Sequence, residues 1–188
     1  KYTEAIGSLT KVADEGEKRA DWHVALADAL WAVGRYDECL KHAATAREIE
    51  PAWAPAIYAN GMALETLGRK IDAAEVYKTM SKTLAGEAYR RDPRGLVALG
   101  RIMDRYAILA GQRASEQAAN ILHNYLQEAY LKADKSYWPA NVAAGEFLLT
   151  KHRASSARKE FELALKTNPH SADALAGLGA IELEAWQF

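Results

Sequence analysis

The sequence lacks features that several large classes of protein require. Its single cysteine, Cys39, cannot form an internal disulfide, and we predict that it is a small core residue rather than a reactive thiol. No apolar run approaches the ~18 residues of a membrane-spanning helix. The formal net charge is only −1 over 188 residues, without the basic surplus that supports sequence-independent binding to nucleic acid. We therefore predict neither a membrane protein nor a nucleic-acid-binding protein.

Motifs for catalysis and for metal binding are also missing. The five histidines form no H-E-x-x-H motif and no pair spaced four residues apart. Glu38 and His42 are spaced to share a metal ion on one helix, but a solvated surface pair is the commoner meaning of that spacing. There is no P-loop and no nucleophile elbow. We predict that this chain is not an enzyme and holds no metal and no cofactor.

A pattern of small and apolar residues returns along the chain every 34 residues. With Ala20 as position 1, glycine or alanine recurs at position 8 and a small residue at position 20, and position 24 is bulky in Leu9, Tyr77 and Phe161. Apolar residues keep helical spacing almost throughout, and strand-like alternation is not evident. The recurring residues are Leu26, Ala27, Leu30, Gly34, Tyr36, Cys39, Ala43, Ala46 and Pro51, then Gly61, Leu64, Gly68, Ala73 and Tyr77, then Gly145, Leu148, Ala157, Phe161, Ala164 and Pro169, then Leu178 and Gly179.

This pattern resembles the tetratricopeptide repeat (TPR), a 34-residue helix–turn–helix unit with the signature W-x2-L-G-x2-Y…A-x3-F…P. The resemblance implies an all-α fold, a right-handed superhelical solenoid of antiparallel helix pairs. In such a fold, the small residues let the two helices of a repeat approach and the bulky residue fills the remaining space. It also implies that the protein binds a partner rather than catalysing a reaction.

The repeat register divides the chain into segments of one predicted TPR solenoid. Between two regular stretches lies a longer, atypical hairpin, in which Asp92 is a plausible N-cap and Pro93 a plausible first helical residue. We predict helices there over about 94–112 and 115–133. The predicted segments are 1–19 (helix B of a half repeat), 20–53, 54–87, 88–137 (extended atypical hairpin), 138–171 and 172–188 (helix A of a half repeat).

The concave face of a TPR solenoid, lined mainly by the first helix (helix A) of each repeat, is the expected binding surface. The TPR domains that clamp a C-terminal carboxylate use Lys and Asn where this chain has Val24 and Asp28, which argues against that ligand. We predict a groove for a peptide or protein carrying basic and apolar residues; alternatively, its aromatic and Met side chains pack on the neighbouring repeat. The candidate groove residues are Asp28, Trp31, Tyr58, Met62, Glu65, Glu146 and Leu149.

Other interpretations stay open. The segments Ala133–Ala140 and Phe161–Pro169 are similar to TPR arrays of bacterial multidomain proteins that also carry a zinc metallopeptidase domain. That resemblance implies a non-catalytic part of a larger enzyme. The compartment is open too: no signal peptide is visible and the default is cytoplasmic, but we expect a trimmed chain that begins within a repeat.

Self-association is a further expectation. The two terminal half repeats would each present an apolar face, so we predict head-to-tail contacts between copies. The residues expected on the exposed face of the C-terminal helix are Leu175, Leu178, Ile181 and Trp186.

Overall fold

The computed structural model describes residues 2–112 and 114–186, and within these ranges the fold is all-α, as predicted, with no β-strand. A 3₁₀ segment, Glu87–Arg91, precedes α8, and two π-helical segments, Leu122–Leu126 and Ala129–Ala133, follow α9. The α-helices are α1 (Tyr2–Thr10), α2 (Ala13–Gly16), α3 (Ala20–Ala32), α4 (Tyr36–Ile49), α5 (Ala54–Thr66), α6 (Lys70–Lys78), α7 (Ser81–Leu84), α8 (Pro93–Leu109), α9 (Ala114–Ile121), α10 (Trp138–Thr150), α11 (Ala154–Thr167) and α12 (Ala172–Trp186).

The chain forms two compact units. The first comprises residues 1–86 and 105–112, and the second comprises residues 87–104 and 113–188. The helix α8 therefore contributes its N-terminal part to the second unit and its last turns to the first.

The first unit contains two helix hairpins, α3–α4 and α5–α6, and the bounds of α3, α4 and α5 are close to those that the repeat register predicts. Gly34 and Gly68 close their turns in the left-handed region, at φ 79° and 78°, where glycine has no Cβ to clash. In α5–α6 the ring of Tyr77 occupies the space that a Cβ on Gly61 would need. Cys39 is fully buried in α4, which confirms its predicted place in the core.

The second unit repeats this plan in the hairpin α10–α11. The ring of Phe161 packs against Gly145, where an added Cβ would lie 2.6 Å from it, and against Gly177 of α12. The turn differs, because His152 occupies the position of Gly34 and Gly68 and has φ 55°. At the start of α8, the backbone N–H of Arg94 donates to Oδ1 of Asp92 at 3.0 Å, which confirms the predicted N-cap.

The structure departs from the predicted helices in three places. The half repeat 1–19 forms two short helices, α1 and α2, instead of one. The second helix of repeat 54–87 ends at Lys78, and α7 and the first residue of the 3₁₀ segment form the rest of that repeat. The helix predicted over about 115–133 is α-helical only in α9, which ends at Ile121, and the two π-helical segments follow it.

Candidate functional site

The predicted groove residues of the first unit lie on α3 and α5. Asp28 and Trp31 are exposed on α3, whereas Tyr58 and Met62 are half-buried on α5. The indole Nε1 of Trp31 donates to Oγ1 of Thr66 at 3.0 Å, and that hydroxyl donates to the carbonyl of Met62 at 2.9 Å. The exposed indole is therefore held in place against the C-terminal end of α5.

Glu65 forms hydrogen bonds and an ion pair within the first unit. Its side chain is only 10% exposed. Its Oε1 accepts hydrogen bonds from the hydroxyl of Tyr77 at 2.8 Å and from Nε of Arg105 at 3.1 Å. A second guanidinium nitrogen of Arg105 pairs with Oε2. The negative charge of Glu65 is thus offset by a bidentate arginine.

The electrostatics of this cluster keep its hydrogen-bond donors protonated. Burial, followed by the charge of Glu65, raises the pKa of Tyr77, so the phenol remains a donor. The hydrogen bond to Glu65 raises the pKa of Arg105, and the negative charge of that carboxylate adds to the effect.

The remaining predicted residues, Glu146 and Leu149, lie on α10 in the second unit. Glu146 is exposed and accepts a hydrogen bond from a guanidinium nitrogen of Arg101 at 2.9 Å. Leu149 is half-buried and packs against the core of this unit. Beside them, Nζ of Lys151 lies 2.7 Å from Oδ1 of Asp104, and both side chains are largely buried. The charges of the second unit in this region are therefore paired, one pair exposed and the other largely buried.

The basic side chains that bind these acids were not predicted from the sequence. Arg101 and Arg105 lie four residues apart on α8, so they share one face of that helix. That spacing was visible in the sequence. Their partners were not, because Glu65 and Arg105 are 40 residues apart in the chain.

The structure bears on metal binding and on the reactivity of Cys39. Within residues 2–112 and 114–186, no cluster of three or more His, Cys, Asp or Glu is placed to hold a metal ion. The two carboxylate oxygens of Glu38 accept hydrogen bonds from Nε and from a terminal guanidinium nitrogen of Arg35, at 2.7 Å and 2.5 Å. Glu38 is therefore not a dedicated partner of His42. Burial raises the pKa of Cys39 to about 11, which keeps its thiol protonated and unreactive.

In the same part of the chain, no helix is long and apolar enough to cross a membrane.

The helix hairpins and their 34-residue register define the class of the chain, which is a TPR-type helical-repeat protein. Two solved structures share this fold. A thermophilic TPR protein of Thermus thermophilus is 17% identical, with a TM-score of 0.62 over 97% of this chain and 91% of that one. The protein pilF of Pseudomonas aeruginosa is 19% identical, with a TM-score of 0.53 over 93% of this chain and 71% of that one.

A family model gives a narrower assignment. The model of the bacterial transcriptional activator domain (BTAD) matches residues 6–101, which is more than half of the chain. The chain therefore belongs to the BTAD family. A search of curated protein sequences gives no match.

Proposed function

We propose that the chain is a protein-interaction module of a bacterial transcriptional activator, and that it binds a peptide segment of its partner on the first unit. The observation that carries the proposal is the exposed indole of Trp31, held by Thr66 beside the half-buried Met62 and Tyr58. Tryptophan and tyrosine are enriched among residues that dominate binding energy at interfaces. Methionine adapts to varied apolar side chains. We call the set Asp28, Trp31, Tyr58 and Met62 the α3–α5 surface.

The charge of the α3–α5 surface favours a partner segment with basic as well as apolar residues. Asp28 is its exposed carboxylate. Glu65, which the sequence analysis placed at the edge of the groove, is bound to Arg105 and Tyr77. We therefore assign to Glu65 the role of positioning α5, and to Asp28 the role of meeting a basic residue of the partner.

A selection from a phage-displayed library of random peptides tests this proposal. We expect the chain to enrich peptides that combine apolar and basic residues, and Trp31→Ala to lose that enrichment. Trp186→Ala is the matched control, because Trp186 is an exposed tryptophan of the second unit. Asp28→Asn should retain apolar peptides and lose the preference for basic residues, with a weaker dependence on salt.

Two results of the selection would contradict the proposal. One is equal enrichment of the same peptides by the chain and by Trp31→Ala. The other is loss of enrichment in Trp186→Ala while Trp31→Ala retains it, which would place binding on the second unit.

A further inference from the structure

A buried pair of histidines joins α3 to α4 in the first unit. Nδ1 of His23 lies 2.9 Å from Nδ1 of His42. His23 is 5% exposed and His42 is half-buried. The indole of Trp22 lies edge-on to both imidazoles, with ring centroids 4.9 Å and 5.7 Å away. The pair is therefore part of the packed interface between the two helices.

The neighbours of the pair determine where its hydrogens lie. Nε2 of His23 is 3.1 Å from the carbonyl oxygen of Glu17. A carbonyl oxygen only accepts, so Nε2 of His23 carries a hydrogen, and Nδ1 of the neutral ring is an acceptor. His42 must then donate its Nδ1–H to His23.

This arrangement tolerates one added proton but not two. A proton on Nε2 of His42 leaves the hydrogen bond between the rings intact. A proton on Nδ1 of His23 removes the acceptor and sets two imidazolium cations against each other. Full protonation therefore requires α3 and α4 to separate at this point.

The charges around His42 have opposing effects. Burial lowers the pKa of His42, and a charge on His23 lowers it further, whereas Glu38 and Glu17 act in the opposite direction. Glu38 is itself bound to Arg35. The helices packed against the hairpin add further titratable groups, which are Tyr2 and Glu4 on α1 and Tyr58 and Glu65 on α5.

The other regular hairpins show that histidines are not required at this contact. His23 and His42 occupy repeat positions 4 and 23. In α5–α6 these positions hold Ile57 and Val76, which are both buried. In α10–α11 they hold Asn141 and Glu160, whose Nδ2 and Oε2 are 3.1 Å apart. Of these three hairpins, only α3–α4 places two imidazoles in contact at these positions.

We propose that the His23–His42 pair is an acid-sensitive contact between α3 and α4, here called the histidine joint. This joint regulates the α3–α5 surface. Acid adds protons to the pair, and α3 loosens from α4 when both imidazoles are charged. Because α3 carries Asp28 and Trp31, loosening disorders half of the binding surface. The effect on binding rests on the proposed function, whereas the loosening does not.

The direction of the pH effect follows from linkage. The pKa of His42 is lower in the folded protein than in the unfolded chain, where a histidine has a pKa of about 6.5. Between the two values the unfolded chain binds more protons than the folded protein. The contribution of His42 to stability is therefore complete above about pH 6.5 and declines as the pH falls.

Urea unfolding of the whole chain in the presence of EDTA tests the joint at about pH 7.5 and about pH 5.5. We expect the urea midpoint to fall on acidification for the chain and for the control His170→Gln, which removes an exposed histidine. The double variant His23→Ile, His42→Val copies the pair of α5–α6 and should show less than half of that fall. An equal fall in the double variant would overturn the proposal.

Two measurements on the unsubstituted chain serve if the double variant does not fold. At about pH 7.5, the ¹⁵N shifts of the imidazoles should show hydrogen on Nε2 of His23 and on Nδ1 of His42. On acidification, amide-exchange protection of α3 should fall relative to that of α10, which carries no histidine. Independent titration of both rings as in an unfolded peptide, with an unchanged ratio of protection, would refute the joint.

These experiments use no ligand, so they separate this proposal from the proposed function. A negative result leaves the peptide-binding proposal intact. A failed peptide selection says nothing about the histidine pair.

Discussion

The hairpins α5–α6 and α10–α11 follow the same repeat template, one in each unit, yet they are stabilised differently. Both pack an aromatic ring over a glycine: Tyr77 over Gly61, and Phe161 over Gly145. Tyr77 also donates a hydrogen bond to Glu65, which Phe161 cannot do. The two hairpins share the packing of an aromatic ring on a glycine because they share the repeat register. They differ in whether that ring also forms a hydrogen bond.

The acids on the first helices of these hairpins show the same contrast. Glu65 is 10% exposed and is held by Arg105 and Tyr77, whereas Glu146 is 49% exposed and has a single hydrogen bond from Arg101. Exposed ion pairs contribute little to stability, because water and salt screen them. The cluster around Glu65 should stabilise the first unit, and the pair at Glu146 should contribute little to the second.

The largest expected effect concerns the contact between glycine and the aromatic ring. Gly145→Leu should lower the free energy of unfolding by about 3 kcal/mol, because the new side chain meets the ring of Phe161. Gly179→Leu is the matched control, since a Cβ there meets nothing within 4 Å. Urea unfolding of both variants measures the difference. Equal costs would show that this packing is not what makes the small residue necessary.

The second largest effect is a difference in stability between variants of the two glutamates, Glu65 and Glu146. Glu65→Ala should cost about 2 kcal/mol, because the buried hydroxyl of Tyr77 and the half-buried Arg105 lose their acceptor. Glu146→Ala should change stability by less than about 0.5 kcal/mol. Urea unfolding at low and at high salt tests both values. Similar costs for the two variants would contradict the contrast drawn here.

The smallest effect concerns the turns. His152→Gly should raise stability by about 1 kcal/mol, because His152 adopts a left-handed conformation, at φ 55°, that glycine accepts without strain. Gly68→Ala, at φ 78°, should lower stability by a similar amount. Thermal unfolding of both variants gives the comparison. A loss of stability in His152→Gly would mean that its side chain contributes more than its backbone costs.

Self-association and the link to a zinc metallopeptidase stay predictions. On α12, Leu175 and Trp186 are exposed, as expected for a free apolar face. The expectation was wrong for Ile181, which is buried in the core of the second unit, and for Leu178, which is half-buried against that core. Helical spacing alone did not distinguish the face of α12 that packs on α11 from the opposite face.

Much of the fold could be predicted from the sequence, whereas the candidate site could be predicted only in outline. The bounds of α3, α4, α10 and α11 follow from apolar spacing and turn residues, which act within a few residues. The groove positions were chosen by analogy with the TPR family, and five of the seven lie in the first unit and two in the second. The role of Glu65 was not predictable, because side-chain pairing across a distance of 40 residues leaves no local pattern.

The amino-acid sequence by itself determined the all-α hairpins, the small residues between helices and the glycine turns, because each depends on a repeated local spacing. Only the tertiary structure decided which charges and imidazoles meet. Arg105 binds Glu65 and His23 meets His42 because helix packing brings these side chains within hydrogen-bond distance. The energy of a polar contact depends on its burial and its partner, and packing alone determines both.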